Sequence, residues 1–198
     1  MVPMIVQLSQ SNYARSLRAA VRGLWGGTFT LSQFYEAMAT AIERHIRAAW
    51  REGFAEFGIE LDEMTDDEQI ALLVFIGTQF NYINGLAQWV TTHSKSNGGK
   101  LRTAFLRVPV WANRYTDARN QAKTLAAGNQ HLMWKLGRTE KHCTSCLKLA
   151  GKVKRGTIWR EANIFPQSPD LECGGWLCDC DLLPTSNRAT PGRLPSLP

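Results

Sequence analysis

The sequence predicts a mainly α-helical N-terminal region, then a small cysteine-rich α+β module, and then an extended tail. Two observations lead to this prediction. Apolar residues recur every three to four positions over most of residues 13–128, which is the period of a helix with one buried face. All five cysteines lie in two clusters within residues 143–180, among glycines, prolines and short apolar runs. We therefore expect a helical domain over residues 1–129, a cysteine-rich module over 130–184 and a Pro-rich tail over 185–198.

Two capping boxes mark where helices begin. Thr30 with Gln33 forms one box, and Thr65 with Glu68 forms the other. In each box the threonine hydroxyl and the side chain three residues later satisfy free N–H groups of the first turn. Apolar residues at helical spacing follow both boxes, so we expect a long helix from each, the first of them ending near Gly58.

Further helices are predicted on either side of these starts. The pattern of residues 13–24 indicates an earlier helix, which the glycine pair at 26–27 ends. The helix after the second capping box is expected to continue unbroken to Val90. Another helix is expected to begin near Pro109, because proline is tolerated in a first turn, and to end at Gly128.

From residue 131 the pattern changes to short apolar pieces with Gly and Pro between them. Such pieces predict two or three short strands that frame the cysteines. The tail from Pro184 to Pro198 contains four prolines and little apolar content. It is predicted to be an extended arm that cannot fold alone and that, where ordered, lies against a neighbouring subunit.

The cysteines are the residues best suited to chemistry. Cys143-x-x-Cys146 offers two thiolates to one ion, and Cys173, Cys178 and Cys180 follow about 30 residues later, a layout that closes a tetrahedral zinc site. We expect Cys143, Cys146, Cys173 and one of Cys178 and Cys180 to bind a structural Zn²⁺. Spacing leaves the choice between the last two open. Disulfides are the alternative, but an odd number of thiols cannot pair completely within one chain.

Several function classes are disfavoured by the sequence. Met1–Gln10 lacks the basic and then apolar pattern of a signal peptide, so we expect a protein made in a reducing cytoplasm, where clustered cysteines favour metal. The longest uninterrupted apolar run, residues 71–76, is far below the roughly 20 residues of a membrane-spanning helix, so no membrane partner is expected.

Enzymatic activity is not expected either. Four thiolates leave no open position on a metal for water or substrate, and no common phosphate-binding loop, zinc-protease or hydrolase motif occurs. We therefore expect no small-molecule substrate. His45 is interpreted as a packed core histidine, and His93 as a loop residue without an evident partner.

The net charge of +6 is unevenly distributed. Residues 100–160 contain fourteen Lys and Arg but only two acids, a local balance of +12. A basic block of this size is typical of a surface that binds DNA; a solvated face, or one that meets an acidic protein, is the alternative. Without a recognition-helix motif, any DNA contact should be independent of sequence. The candidate contacts are Arg102, Arg107, Arg114, Lys148, Lys152, Lys154 and Arg155.

The module also carries a series of landmarks in order. They are Trp134-Lys135-Leu136-Gly137-Arg138-Thr139-Glu140, His142-Cys143-Thr144-Ser145-Cys146, Leu149-Ala150-Gly151-Lys152-Val153, Trp159, Pro166, Ser168-Pro169-Asp170-Leu171-Glu172-Cys173-Gly174-Gly175-Trp176 and Cys178-Asp179-Cys180-Asp181-Leu182. This segment resembles the C-terminal module of tailed-phage minor head proteins, the phage Mu F-like head-morphogenesis family, in which a Cys-x-x-Cys and a closing Cys-x-Cys flank a Leu-x-Gly-x-Val stretch. The resemblance covers about residues 131–184; the helical region is similar in layout only.

One departure from the family pattern lies at the closing cluster. Many members have His-Pro-x-Cys-Arg-Cys there, whereas here Cys173-Gly-Gly-Trp-Leu precedes the pair and Asp179 replaces the arginine. The resemblance implies that Cys173 takes the role of the histidine as a metal ligand.

The resemblance implies a non-enzymatic virion protein, present in few copies near the portal vertex and located in the host cytoplasm during assembly. It would act in head morphogenesis or in the packaging and ejection of DNA, with capsid or portal proteins as partners and DNA as a further contact. The alternatives are a cytoplasmic zinc-ribbon regulator that binds nucleic acid and a metal-dependent nuclease or processing enzyme. A regulator would bind DNA sequence-selectively as a free protein, whereas a virion component would co-purify with particles.

Overall fold

A computed structural model describes residues 4–138, 141–168, 170–175 and 178–197, with side chains from residue 9 onward. Some residues named above lie outside the described residues: Met1, Thr139, Glu140, Pro169, Trp176, Leu177 and Pro198. The predicted fold class is confirmed, because helices make up the N-terminal region and a small sheet with short helices follows them.

The elements are as follows in chain order. The helices are α1 Met4–Gly26, α2 Leu31–Ala55, α3 Asp66–Phe80, α4 Ile83–Thr92, α5 Leu101–Ala104, α6 Val108–Ala127, α7 Thr144–Leu149 and α8 Gly156–Glu161. The strands are β1 His131–Lys135, β2 Val153–Arg155 and β3 Asp181–Pro184.

Both capping boxes start helices at the predicted positions. Thr30 Oγ1 accepts the Gln33 N–H at 3.2 Å, and Gln33 Oε1 accepts the Thr30 N–H at 2.9 Å. Thr65 and Glu68 form the same reciprocal pair at the start of α3. These starts were predictable because the bonds join residues only three positions apart.

The predicted unbroken helix after Thr65 is wrong, because a turn at residues 81–82 divides it into α3 and α4. The turn lets α3 pack on α2 while α4 packs on α1. Both halves keep a buried apolar face, so the apolar period alone does not reveal the break.

The core of the helical region lies between α2, α1 and α6, the three helices with the most extensive mutual contacts. Trp50 and Phe54 of α2 are fully buried in it. His45 is also buried, hydrogen-bonded to Ser16 Oγ at 3.1 Å, so its interpretation as a packed histidine is confirmed. His93, by contrast, has a partner: its Nδ1 lies 2.8 Å from the Trp89 carbonyl oxygen.

The C-terminal module contains an antiparallel sheet of order β2-β1-β3. Leu132 and Trp134 of the central strand point into a second apolar core. There the ring centre of Trp159 of α8 lies 5.7 Å from that of Trp134. This core is small and includes Cys146, Cys178 and Cys180. The two or three predicted strands are therefore present, and they frame the cysteines.

The tail is ordered and folds back on its own module; its contact with a neighbouring subunit stays a prediction. Thr190 donates its N–H to the Val153 carbonyl at 2.9 Å and accepts the Val153 N–H on its Oγ1 at 3.0 Å. Leu194 and Leu197 pack against the second core. The physical reason is that β2 is an edge strand, whose free backbone groups gain partners when the tail covers them.

One segment, Asp66–Thr92, is long and apolar enough to cross a membrane by length and composition, with 39% of its apolar window buried. It contains α3 and α4 together. The sequence-based expectation missed it because Gln79, Asn81 and Asn84 interrupt the apolar run. Core helices of soluble proteins can meet the same criterion.

Candidate metal centre

All five cysteines converge on one place beside α7. Cys143 precedes α7 as its N-cap and Cys146 lies in its first turn. Cys173 lies in the loop after α8, and Cys178 and Cys180 lie directly before β3. The structure therefore brings together every residue that the sequence proposed as a metal ligand, and none of the five is in a disulfide.

The sulfur atoms form two overlapping groups. Cys143, Cys146 and Cys173 make one group and Cys146, Cys178 and Cys180 make the other, with the sulfurs of each group within 4.8 Å of one another. The Cys146 and Cys178 sulfurs are 3.7 Å apart. A tetrahedron of sulfurs about 2.3 Å from a central ion has edges of about 3.8 Å. The cluster is thus shaped and equipped to hold a metal ion.

The residues between Cys143 and Cys146 hold the Cys173 loop in place. The Thr144 N–H donates to the Glu172 carboxylate at 2.5 Å, and Ser145 Oγ accepts the Glu172 N–H at 3.1 Å. The Cys146 N–H donates to Cys143 Sγ at 3.4 Å. One turn of helix thereby positions its own two thiols and the loop that carries the third.

The Cys178–Cys180 segment is held by a close backbone approach. A side chain at Gly137 would place its Cβ 2.1 Å from the Asp179 carbonyl oxygen, so only glycine fits there. The Arg138 N–H donates to Asp179 Oδ2 at 3.3 Å. The aspartate that departs from the family pattern therefore has a local structural role beside the two thiols.

The Leu-x-Gly-x-Val stretch also has a structural explanation. Leu149 is fully buried, and Gly151 turns the chain with a φ of 71° while its N–H donates to the Trp134 carbonyl at 2.9 Å. Val153 then pairs with Met133 in the sheet. A positive φ favours glycine. The Leu-x-Gly-x-Val pattern is therefore explained by the connection from α7 to β2, which needs a buried residue, a turn and a strand residue in that order.

Mutual hydrogen bonds perturb the protonation of the thiols. Bonds from Cys146 and Cys178 lower the pKa of Cys180 to about 4, and bonds with Cys178 and Cys180 raise the pKa of Cys146. Burial raises the pKa of Cys173 to about 11. Although burial opposes the change, hydrogen bonds from Cys146 and Cys173 lower the pKa of Cys143. A cation at the centre would stabilise the thiolates together, and its binding would release protons.

A buried ionic network joins the end of the Cys178–Cys180 segment to the helical region. Asp181 directly follows Cys180 and lies between two cations of α6, 3.2 Å from Arg119 Nη1 and 2.8 Å from Lys123 Nζ. Glu56 pairs with both cations from the end of α2. Burial opposes the charge on Arg119, but Asp181 and Glu56 outweigh it and raise the pKa of that guanidinium. Burial lowers the pKa of Lys123.

Sequence reasoning missed this network. The available signal was Arg119 and Lys123, spaced four residues apart among the apolar and small residues of α6. Such a pair on a buried helix face needs carboxylate partners. The identity of those partners was not readable, because Glu56 and Asp181 lie about 60 positions away in either direction.

The candidate DNA contacts are not all on the surface. Arg114 is paired with Asp117 at 2.9 Å and donates to the Gln167 carbonyl at 3.0 Å. Lys154 is buried and donates to the carbonyls of Thr190 and Gly192 in the tail. The side chains of these two residues are thus engaged within the chain, and DNA contact by the predicted residues stays a prediction. The remaining candidates are exposed or half-buried: Arg102, Arg107, Lys148, Lys152 and Arg155.

No protein-family model matches the chain, and comparisons with curated proteins and with solved structures give no significant match. The resemblance to phage minor head proteins stays a prediction.

Proposed function

We propose that the cysteine cluster holds one structural zinc ion bound by Cys143, Cys146, Cys173 and Cys178. The observation that carries this proposal is the convergence of the two sulfur groups on Cys146, with a 3.7 Å edge to Cys178. Thiolate sulfurs in tetrahedral arrangement select zinc or an iron–sulfur centre, and a single Cys₄ ion with a Cys-x-x-Cys turn is the usual structural zinc site.

Cys178 is proposed as the fourth ligand in preference to Cys180 because its sulfur is 3.7 Å from that of Cys146, which is about the edge length of a tetrahedral Cys₄ zinc site. The thiol of Cys180 interacts with Cys146 and Cys178 and with the Gly137 backbone. Cys180 would then lie next to the zinc site without binding the ion, and its thiol would hydrogen-bond to the sulfurs of the ligands Cys146 and Cys178.

The test measures bound metal in five single Cys→Ser variants purified without added metal. We expect one zinc per chain in the wild type and in Cys180→Ser, and loss of zinc in the other four. Cys180→Ser is the matched control, because it makes the same substitution in the same cluster without removing a proposed ligand. Zinc retained in Cys178→Ser and lost in Cys180→Ser would reverse the fourth-ligand assignment. Iron with visible absorbance in place of zinc would overturn the metal identity.

We propose further that the protein is a non-enzymatic minor head protein of a tailed phage, acting near the portal through contacts with capsid or portal proteins. The ordered landmarks from Trp134 to Leu182 support this, together with the structural roles of Gly137, Gly151 and the cysteines in one compact module. A closed thiolate site has no free coordination position for a substrate, which favours a structural role over the nuclease alternative.

Mass spectrometry of purified particles tests this assignment. We expect the chain in mature virions at low copy number, and reduced incorporation of Cys146→Ser because its module would not fold. Cys180→Ser, which keeps its zinc under the proposal above, should be incorporated normally. Absence of the wild-type chain from particles, with sequence-selective DNA binding by the free protein, would favour the regulator alternative.

A second candidate activity is DNA contact independent of sequence. Arg102, Lys148 and Arg155 are exposed and belong to the basic block, which supports it. Affinity should fall steeply between low and moderate salt as counterions are released. A triple Glu variant at these positions should lose binding, while Arg51→Glu, an exposed change outside the block, should not; binding that ignores salt would contradict the proposal.

A further inference from the structure

The surface of α3 carries an unusual concentration of apolar side chains. Five of the nine large hydrophobic residues exposed in the described part of the chain lie within residues 70–82. They are Ile70, Leu73, Val74, Phe80 and Tyr82. Single exposed apolar residues are ordinary, but a contiguous group of them indicates an interaction surface.

The phase of the helix shows that α3 is apolar on both sides. Leu72, Phe75 and Ile76 face the core, whereas Ile70, Leu73 and Val74 recur at helical spacing on the outer side. No Asp, Glu, Lys or Arg occurs from residue 69 to residue 94. A helix that is apolar all round is normally buried on all sides. We therefore expect the outer face of α3 to pack against another surface.

Gly77 lies one turn after Leu73 and Val74, in the middle of this outer face. A Cβ built at Gly77 would meet nothing within 4 Å, so no packing within the described part of the chain requires glycine there. Glycine inside a helix is unfavourable relative to alanine. Its presence is explained when another helix approaches the backbone closely from outside, as small residues permit.

The two ends of the face carry opposite charges. Asp66 and Asp67 are exposed at the start of α3. Arg107 lies near the other end, with its guanidinium 4.4 Å from the centre of the Trp89 ring. It lines, together with Val74 and Tyr82, a cleft of about 890 Å³ between α3–α4 and α6. The face is thus acidic at one end, apolar in the middle and basic at the other end.

We propose that this face is an interface between two copies of the chain, related by a two-fold axis that sets the α3 helices antiparallel across Gly77. A two-fold interface uses the same surface on both subunits. It therefore places Asp66 and Asp67 of each copy near Arg107 of the other, and it covers Ile70, Leu73 and Val74 of both. Only this antiparallel arrangement brings the acidic end of the face on one copy against the basic end of the same face on the other copy.

A lipid bilayer is the other occupant that the composition of residues 66–92 allows. Insertion would remove Leu72, Phe75 and Ile76 from the core that they share with α2. The acids at the start of α3 would also be repelled by an anionic membrane surface. A second copy satisfies the outer face without disturbing the inner one.

The first experiment is sedimentation velocity of the full, metal-loaded chain over a concentration series, with wild type compared with Val74→Glu and Gly77→Leu. We expect a concentration-dependent dimer for the wild type and a monomer for both variants, each with unchanged helical circular dichroism and zinc content. Leu31→Glu is the matched control, because it places a charge on an equally exposed leucine at the start of α2; it should dimerise like the wild type.

The second experiment tests the two-fold arrangement by charge exchange. Asp66→Arg combined with Asp67→Arg should be monomeric, and so should Arg107→Glu. An equimolar mixture of these two proteins should form a heterodimer, because each acid–base contact is then restored. At one end of the interface the acidic and basic partners have exchanged sides, and at the other end the original residues meet. A single chain carrying all three substitutions should dimerise again.

Three outcomes would overturn the proposal. They are a wild type that stays monomeric throughout the series, a dimer that persists in Val74→Glu, and charge variants that do not associate when mixed. Flotation with neutral phosphatidylcholine vesicles examines the first of these outcomes further: a monomeric wild type that floats, with a Val74→Glu variant that does not, identifies a lipid surface as the occupant of the face. None of these results depends on zinc identity or on a place in a virion.

Discussion

The helical region and the cysteine module differ in the size and the composition of their apolar cores. The core of the helical region draws side chains from all six helices α1 to α6, including the large and fully buried Trp50 and Phe54. The module has a much smaller core, and three of its buried members are cysteines. Small units seldom bury enough apolar surface to fold alone, and metals commonly compensate. With the proposed zinc ion bound, one part of the chain would fold by apolar burial and the other with the help of metal coordination.

The contact between the two regions differs from both cores. Arg119, Lys123 and Asp181 form buried ion pairs there, and Asn120 Oδ1 accepts the Leu182 N–H at 3.0 Å. Such polar contacts require defined geometry, because each charge left without its partner is costly. The network therefore fixes the strand that follows the cysteines in one position on α6.

The largest effect should come from removing a central metal ligand. Cys146→Ser is expected to unfold the module beyond residue 131 while most of the helical signal remains, because structural zinc supplies about 10 kcal/mol or more to the folding of such units. Limited proteolysis measures this, together with a partial loss of near-ultraviolet circular dichroism in which Trp134 and Trp159 lose their signal and the buried Trp50 of the helical core keeps its own. A chelator should reproduce the effect in the wild type. Loss of all helical signal in one transition would show that the two regions fold as one unit.

Breaking the network between the regions should have the next largest effect. Asp181→Asn leaves Glu56 as the one carboxylate paired with Lys123 and Arg119 among the described residues, so we expect a loss of about 3–5 kcal/mol in the free energy of unfolding. Denaturant titration of the metal-loaded protein measures it. The control is Glu43→Gln, which breaks the exposed pair with Arg47 and should cost less than about 1 kcal/mol. Equal effects of the two variants would contradict a stabilising role for the network.

Removing the tail should weaken the module without abolishing it. Truncation after Asn187 deprives Lys154 of its two carbonyl acceptors and Val153 of its partners, a loss of roughly 1–3 kcal/mol. Zinc content should be unchanged, as measured by metal analysis alongside thermal unfolding. Lys154→Met in the truncated chain should recover part of the loss, because it removes the unsatisfied ammonium. No change on truncation would show that the tail contacts are energetically neutral.

The smallest effect is expected from a local change in the helical region. Thr65→Ala removes the hydroxyl that caps α3 and should cost about 1 kcal/mol, with no effect on zinc. Hydrogen exchange should show faster opening of the first turn of α3 alone. Thr40→Ala, at an exposed position inside α2, should change stability by no more than about 0.5 kcal/mol. Similar losses for both would mean that the cap contributes little.

Sequence reasoning was most successful where the deciding interactions are short-range. The capping boxes at Thr30 and Thr65 depend on residues three positions apart, and the end of α6 depends on Gly128 itself, which has a φ of 48°. The division of α3 from α4 was not predictable, since both halves have apolar faces and only their separate packing on α2 and α1 requires the turn.

The sequence by itself determined the helix starts at the two capping boxes, the position of the sheet and the five thiols that could meet around one ion, because caps, period and residue chemistry are local properties. Only the tertiary structure decided which cations are buried, where the tail lies, and which face of α3 remains uncovered. These depend on contacts such as Lys123 with Asp181 and Val153 with Thr190, which join residues far apart in the chain. No local pattern encodes such pairings, because they form only when the whole chain has packed.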